Sequence, residues 1–275
     1  MAEADARAGT ARIDLLTIVG LALLLNPVLT MWHEIGGHVA ACAALGGTVA
    51  TIGAFYVQCT GLTGLPDMAV ACAGVAVNTV LAIVAYAVWR GARRDGARLF
   101  WWFVWVSEAF VAAGYFCFSG VSGVGDLGVG RGGGLAGVPM PIAWRIGETA
   151  FGIAVYWLLI RRASAALGRM IGAGESVAGA RRRIAHGYYF ASGAIAILVG
   201  LLNPVGIFVT ILSAAASSFG GLAGFISVGF ARPAGAPAKG FTIARWWPVI
   251  IAGAATSALF ALLLGPSLHF APPVA

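Results

Sequence analysis

Apolar residues gather along the chain into six long runs, separated by short polar or glycine-rich stretches. The runs extend from Ile13 to about Leu45, Ala69 to Trp89, Leu99 to Ser119, Ile142 to Ile160, Gly187 to about Gly229, and Trp246 to Gly265. A helix that crosses a bilayer needs about 20 predominantly apolar residues, so each run predicts at least one span. The fifth run is 43 residues long and contains Asn203-Pro204, which predicts two spans joined near that dipeptide. The first is interrupted by Asn26-Pro27 and then by His33, Glu34 and His38, so it predicts one kinked or tilted helix. It runs straight into polar residues with no small-residue cleavage site after a short apolar core, and is therefore not read as a removable signal peptide. The expected architecture is an all-α polytopic membrane protein of about seven transmembrane helices.

Two connections depart from this pattern. Residues 46–65, GGTVATIGAFYVQCTGLTGL, place β-branched and aromatic residues in near alternation, which predicts a short strand pair at or in the membrane. Residues 119–138 hold nine glycines and one carboxylate, Asp126. Such a segment is either a flexible extramembrane loop or backbone that must approach another group closely.

Composition narrows the function classes. The 275 residues are 60% hydrophobic and 10% charged, with a mean hydropathy of +0.91, whereas soluble domains carry about 25% charged residues. Nucleic-acid binding, a secreted disulfide scaffold and a cytosolic dinucleotide-binding enzyme are set aside. The net charge of +7 is a topology signal. Arg90, Arg93, Arg94 and Arg98 fill one connection; Arg161, Arg162, Arg169 and Arg181 to Arg183 another; Arg232, Lys239 and Arg245 a third. With seven spans and a cytoplasmic N-terminus carrying Arg7 and Arg12, all three fall on the cytoplasmic side, and the segment after the histidines falls outside. Cys42, Cys59, Cys72 and Cys117 form no CxxC pair and are expected to be small buried apolar residues.

Ionisable groups inside spans are costly and are functional candidates by default. They are His33, Glu34, His38, Glu108, Arg145 and Glu148, with Asn78 as the notable uncharged polar residue. Arg145 and Glu148 stand three apart, as an internal ion pair would. The cluster His33-Glu34-Ile35-Gly36-Gly37-His38 supplies two imidazoles and a carboxylate, the groups that bind zinc and activate water. Positions five apart on a regular α-helix differ by roughly 140° around the axis. A shared metal thus demands a local π-type bulge, most easily accommodated at Gly36-Gly37. A catalytic zinc usually keeps three protein ligands; with His186 and His269 at a span boundary and in the tail, a carboxylate is expected, in the order Asp126, Glu148, Glu108.

These residues resemble the site-2 protease family of intramembrane zinc metalloproteases. HEIGGHVAACAALGGTVATIGAF, residues 33–55, is similar to that family's His-Glu-x-x-His helix, Gly-Gly stop and membrane-associated β segment. AGVAVN, residues 73–78, is similar to its Ala-Gly-Pro-x-x-Asn signature, and FSGVSGVGDLG, residues 118–128, falls where the family places an aspartate ligand. The resemblance implies a Zn2+ site of His33, His38 and Asp126, with Glu34 as general base and Asn78 as a polar group near the substrate backbone. It also implies a protein or peptide substrate cleaved in or beside the bilayer, and a setting in the plasma (inner) membrane of a bacterium. It covers residues 13 to about 130, so that residues 1–141 form a protease-like core and 142–275 add helices of unassigned role. The competing reading is a non-hydrolytic metal-binding membrane protein, a transporter or an inactive protease-like scaffold. A histidine-rich desaturase is excluded, because the chain has only four histidines. Substrate, pathway and oligomeric state are not legible.

Overall fold

The computed structural model describes residues 11–270 apart from 205, 208–209 and 233–239; Arg7 and Lys239 of the charge argument lie outside the described residues. Helix α1 runs continuously over Leu15–Ala44. Asp14 caps it by accepting a hydrogen bond from Thr17 N at 2.9 Å, and Pro27 is absorbed within its length. Helices α2 (Leu65–Gly91), α3 (Asp95–Ser122) and α4 (Pro141–Ile171) follow. The long fifth run divides as its Asn-Pro predicts, into α5 (Ala178–Gly200) and a return leg made of a π-helical segment, Thr210–Gly220, and α6 (Gly224–Phe230). Helix α7 (Trp247–Leu264) ends the bundle. Six helical segments are long and apolar enough to cross a membrane. The seventh leg, α5, has length enough at 23 residues but carries Arg181, Arg182 and Arg183 in its first two turns.

Small residues set the helix spacing, as they do where lipid supplies no hydrophobic drive between helices. Helix α7 lies against α1 so closely that a Cβ on Gly20 would come within 2.8 Å of Ile250 Cα. Ser257 donates to Leu23 O at 2.6 Å across that contact. The deepest core is aromatic: Phe103 stacks on Tyr188 at 4.1 Å between ring centroids, with Trp102, Phe110 and Phe225 around them.

Contacts sort the connections into two ends. At one, strand β1 (Arg12–Ile13) pairs in parallel with β4 (Thr242–Ile243), Asp95 accepts from Thr242 N at 2.9 Å, and Arg245 and Arg232 form ion pairs with Asp14 and Glu175 at 3.1 Å each. At the other, β2 (Thr48–Ile52) pairs antiparallel with β3 (Val57–Thr60) and with β5 (Leu268–His269). The predicted strand pair is thus present, with a third strand from the C-terminal tail.

Two expectations are corrected. Cys42 and Cys59 form a disulfide that ties the end of α1 to β3, while Cys72 and Cys117 are free. Arg145 and Glu148 do not pair: Arg145 donates to Gly120 O at 2.9 Å and to Val121 O, and among the described residues neither Glu148 oxygen has a hydrogen-bond partner. The carbonyls at the last turns of α3 lack helical donors, and the guanidinium of the fifth residue of α4 reaches them rather than its own helix neighbour.

Candidate metal centre

The bulge that the histidine spacing demands is present. Trp32–Val39 is a π-helical segment within α1, and Ala40 N donates to Ile35 O, five residues back. That register brings residues five apart onto one face, and His33 Nε2 lies 3.2 Å from His38 Nε2. Helix α2 crosses this face at Gly74. A Cβ there would collide with His33 Nε2 and come within 2.6 Å of His38 Nε2, and a Cβ on Gly37 would meet Gly74 Cα at 2.6 Å. The glycine pair Gly37 and Gly74 lets two backbones close over two imidazoles.

The third corner comes from the glycine-rich connection, which is folded. Gly123 closes α3 with φ of 79°, and Gly125 follows with φ of 89°; Gly130 N and Gly134 N donate to Gly123 O and Asp126 O at 3.1 and 2.8 Å. This winding delivers Asp126 Oδ2 to 3.0 Å from His33 Nε2 and 3.4 Å from His38 Nε2. His33, His38 and Asp126 form a group that could hold a metal ion.

Hydrogen bonds fix the protons of both imidazoles on their outer nitrogens. His38 Nδ1 lies 2.7 Å from Val70 O; a carbonyl only accepts, so Nδ1 carries the proton and Nε2 presents a lone pair. His33 Nδ1 donates likewise to Asn78 Oδ1 at 3.1 Å, with the amide oriented so that its nitrogen donates to Glu108 Oε2 and Gly74 O at 3.2 Å each. Two lone pairs and a carboxylate oxygen therefore converge with edges of 3.2, 3.0 and 3.4 Å. Ligand bonds of about 2.0–2.1 Å in tetrahedral array give edges of about 3.3 Å. Without a cation, such a cluster relieves its repulsion by taking up protons. With protons taken up at the Nε2 atoms, burial still pushes the Asp126 carboxyl up, but hydrogen bonds and charge from His33 and His38 outweigh it and hold Asp126 below the ordinary carboxylate range.

The cluster opens into a cavity of about 410 Å³. Glu34 and Asn78 line it with the three ligand candidates, and Glu34 Oε2 is buried with no hydrogen-bond partner. Glu108 also lines it, behind Asn78, outside the ligand group; Glu148 does not line it. The chain Glu108, Asn78, His33 is the outer-shell arrangement that fixes the tautomer of a ligating imidazole. Residues 142–275 contribute Tyr188, Ser213, Ser217 and Ser218 to the walls.

Tyr115 was not legible as a site residue. Its ring stacks on His33 at 5.1 Å with the planes 9° apart, and its hydroxyl lies 3.3 Å from His33 Nε2. In the sequence it stands in an aromatic-rich helix, where nothing separates it from neighbours such as Phe110 and Phe116. No protein-family model, no curated protein and no solved structure matches the chain.

Proposed function

We propose that the protein is a zinc-dependent intramembrane endopeptidase of the site-2 protease type, hydrolysing a peptide bond in or beside the bilayer. The observation that carries the reading is the convergence of His33 Nε2, His38 Nε2 and Asp126 Oδ2 beside the buried Glu34, whose Oε2 has no hydrogen-bond partner among the described residues. A binding site needs the three ligands alone; an acceptor with no partner at their side is what a general base requires.

His33, His38 and Asp126 would hold the ion at the wall of the cavity. When bound, the ion's contribution is Lewis acidity: a more electrophilic scissile carbonyl and a more acidic attacking water. Glu34 takes the proton of that water on its carboxylate and returns it to the leaving amine nitrogen. Asn78, held by Glu108, positions the His33 ring. The Tyr115 hydroxyl lies 3.3 Å from His33 Nε2; with that nitrogen committed to an ion, the phenol would be free to donate to the substrate carbonyl oxygen.

Substrate delivery follows from the sheet. Among the described residues, strand order β3-β2-β5 leaves one edge of β3 unpaired, and Val57, Gln58 and Cys59 of that strand line the cavity. An extended segment can add to such an edge by main-chain hydrogen bonds. A helical substrate must unwind to do so, because its backbone groups are otherwise paired. The arginine-poor end that carries the site, together with its disulfide, favours an active site facing away from the cytoplasm.

The test is cleavage of single-span peptides by zinc-loaded protein in liposomes, read as new termini by mass spectrometry. Glu34→Gln is expected to keep its zinc and to lose turnover by about 10²- to 10⁴-fold. Zinc retention with no cleavage by either protein would favour the non-hydrolytic alternative.

A further inference from the structure

At the opposite end of the bundle lies a second cavity, of about 830 Å³, lined by Tyr86, Trp89, Arg90, Arg93, Arg98 and Arg169. Three elements build it: the end of α2, the start of α3 and the end of α4. Its walls contain four guanidinium groups and no carboxylate, and among the described residues none of the four forms an ion pair. The carboxylate nearest in sequence, Asp95, is turned away to accept from Thr242 N. Four unneutralised cations around one hollow repel one another, so the arrangement is completed by an anion.

The floor of the hollow is aromatic. Arg169 lies over the Trp89 ring at 5.4 Å, Trp89 Nε1 donates to Met170 Sδ at 3.4 Å, and Tyr86 packs between Trp89 and Trp105. Ile83, Tyr86 and Arg90 stand at i, i+3 and i+7, one face of α2, and Ile83 is 64% exposed on the apolar stretch that leads into the bilayer. Guanidinium above, tryptophan and tyrosine at the interface and a bare apolar strip below together suit an amphiphile: a phosphodiester headgroup at the arginines with acyl chains along α2. A free phosphate would use the arginines and leave the strip without purpose.

We infer that this groove is a binding site for an anionic phospholipid, recognised through its phosphate. The test uses the full chain in nonionic detergent, titrated with short-chain phosphatidylglycerol, short-chain phosphatidylcholine and inorganic phosphate, with the thermal midpoint giving an apparent affinity for each. Phosphatidylglycerol is expected to raise the midpoint selectively, and its affinity to weaken about fivefold per arginine removed in Arg93→Gln and in Arg90→Gln/Arg93→Gln/Arg98→Gln/Arg169→Gln. A control, Arg161→Gln/Arg162→Gln/Arg182→Gln/Arg183→Gln, removes the same charge elsewhere and is expected to keep the response. If the fourfold groove variant is unfolded in phosphatidylcholine, the single Arg93→Gln carries the comparison. An equal loss in the control, or a shift by inorganic phosphate equal to that by phosphatidylglycerol, would overturn the assignment.

Discussion

At one end of the bundle, two-residue strands and the ion pairs of Arg245 with Asp14 and of Arg232 with Glu175 hold the connections. At the other, a disulfide, a three-stranded sheet and a wound glycine-rich loop hold the ligand atoms. The first set is solvent-screened, and each contact contributes little alone. The second is covalent or main-chain, and it over-determines where His38 and Asp126 sit. A metal centre needs that precision, because its donors repel one another until a cation or a proton arrives.

The largest expected difference is in stability. The Cys42–Cys59 bridge closes a sequence separation of 17 residues, and for a loop of this length a disulfide contributes about 3 kcal/mol. Reductant is expected to lower the thermal midpoint of the unmodified protein and to leave Cys42→Ser/Cys59→Ser unmoved. An equal response in both would mean that the bridge does not form in the protein as produced.

Next in size is the outer shell. Asn78→Ala removes the acceptor of His33 Nδ1–H and is expected to weaken zinc affinity about 10- to 100-fold, read by competition with a chelating dye. Unchanged affinity would detach Asn78 from the centre and leave it a packing residue.

The smallest effect lies at the basic end. Asp14→Ala removes the α1 cap and the partner of Arg245, at a cost of about 1 kcal/mol. Burial would raise the Asp14 carboxyl, but the hydrogen bonds from Thr17 and Arg245 outweigh it and lower its pKa in the folded protein. A group lowered on folding stabilises above its unfolded value and loses that contribution as pH falls through the folded one. The gap in thermal midpoint between the variant and the unmodified protein should therefore close as the medium is acidified below about pH 4. A gap that is constant with pH would assign the cost to packing.

Much of this was legible in the chain. Run lengths give the spans, Asn203-Pro204 gives the break between α5 and the return leg, and the five-residue separation of His33 and His38 requires the π segment found at Trp32–Val39. What was hidden depends on contacts made only after folding. Cys42 and Cys59 carry no local pairing signal, since pairing needs β3 folded back on α1. Arg145 finds carbonyls of another helix rather than its sequence neighbour Glu148. Tyr115 and Gly74 reach the centre because α3 and α2 cross α1 at the histidines, and no spacing within either helix encodes that crossing.

Whether His33, His38 and Asp126 together hold one zinc ion is decided by elemental analysis of detergent-purified protein. About one zinc per chain is expected, lost in His38→Ala and in Asp126→Ala and kept in Glu34→Gln. No zinc in the unmodified protein purified without chelators, or full retention in Asp126→Ala, would contradict that expectation.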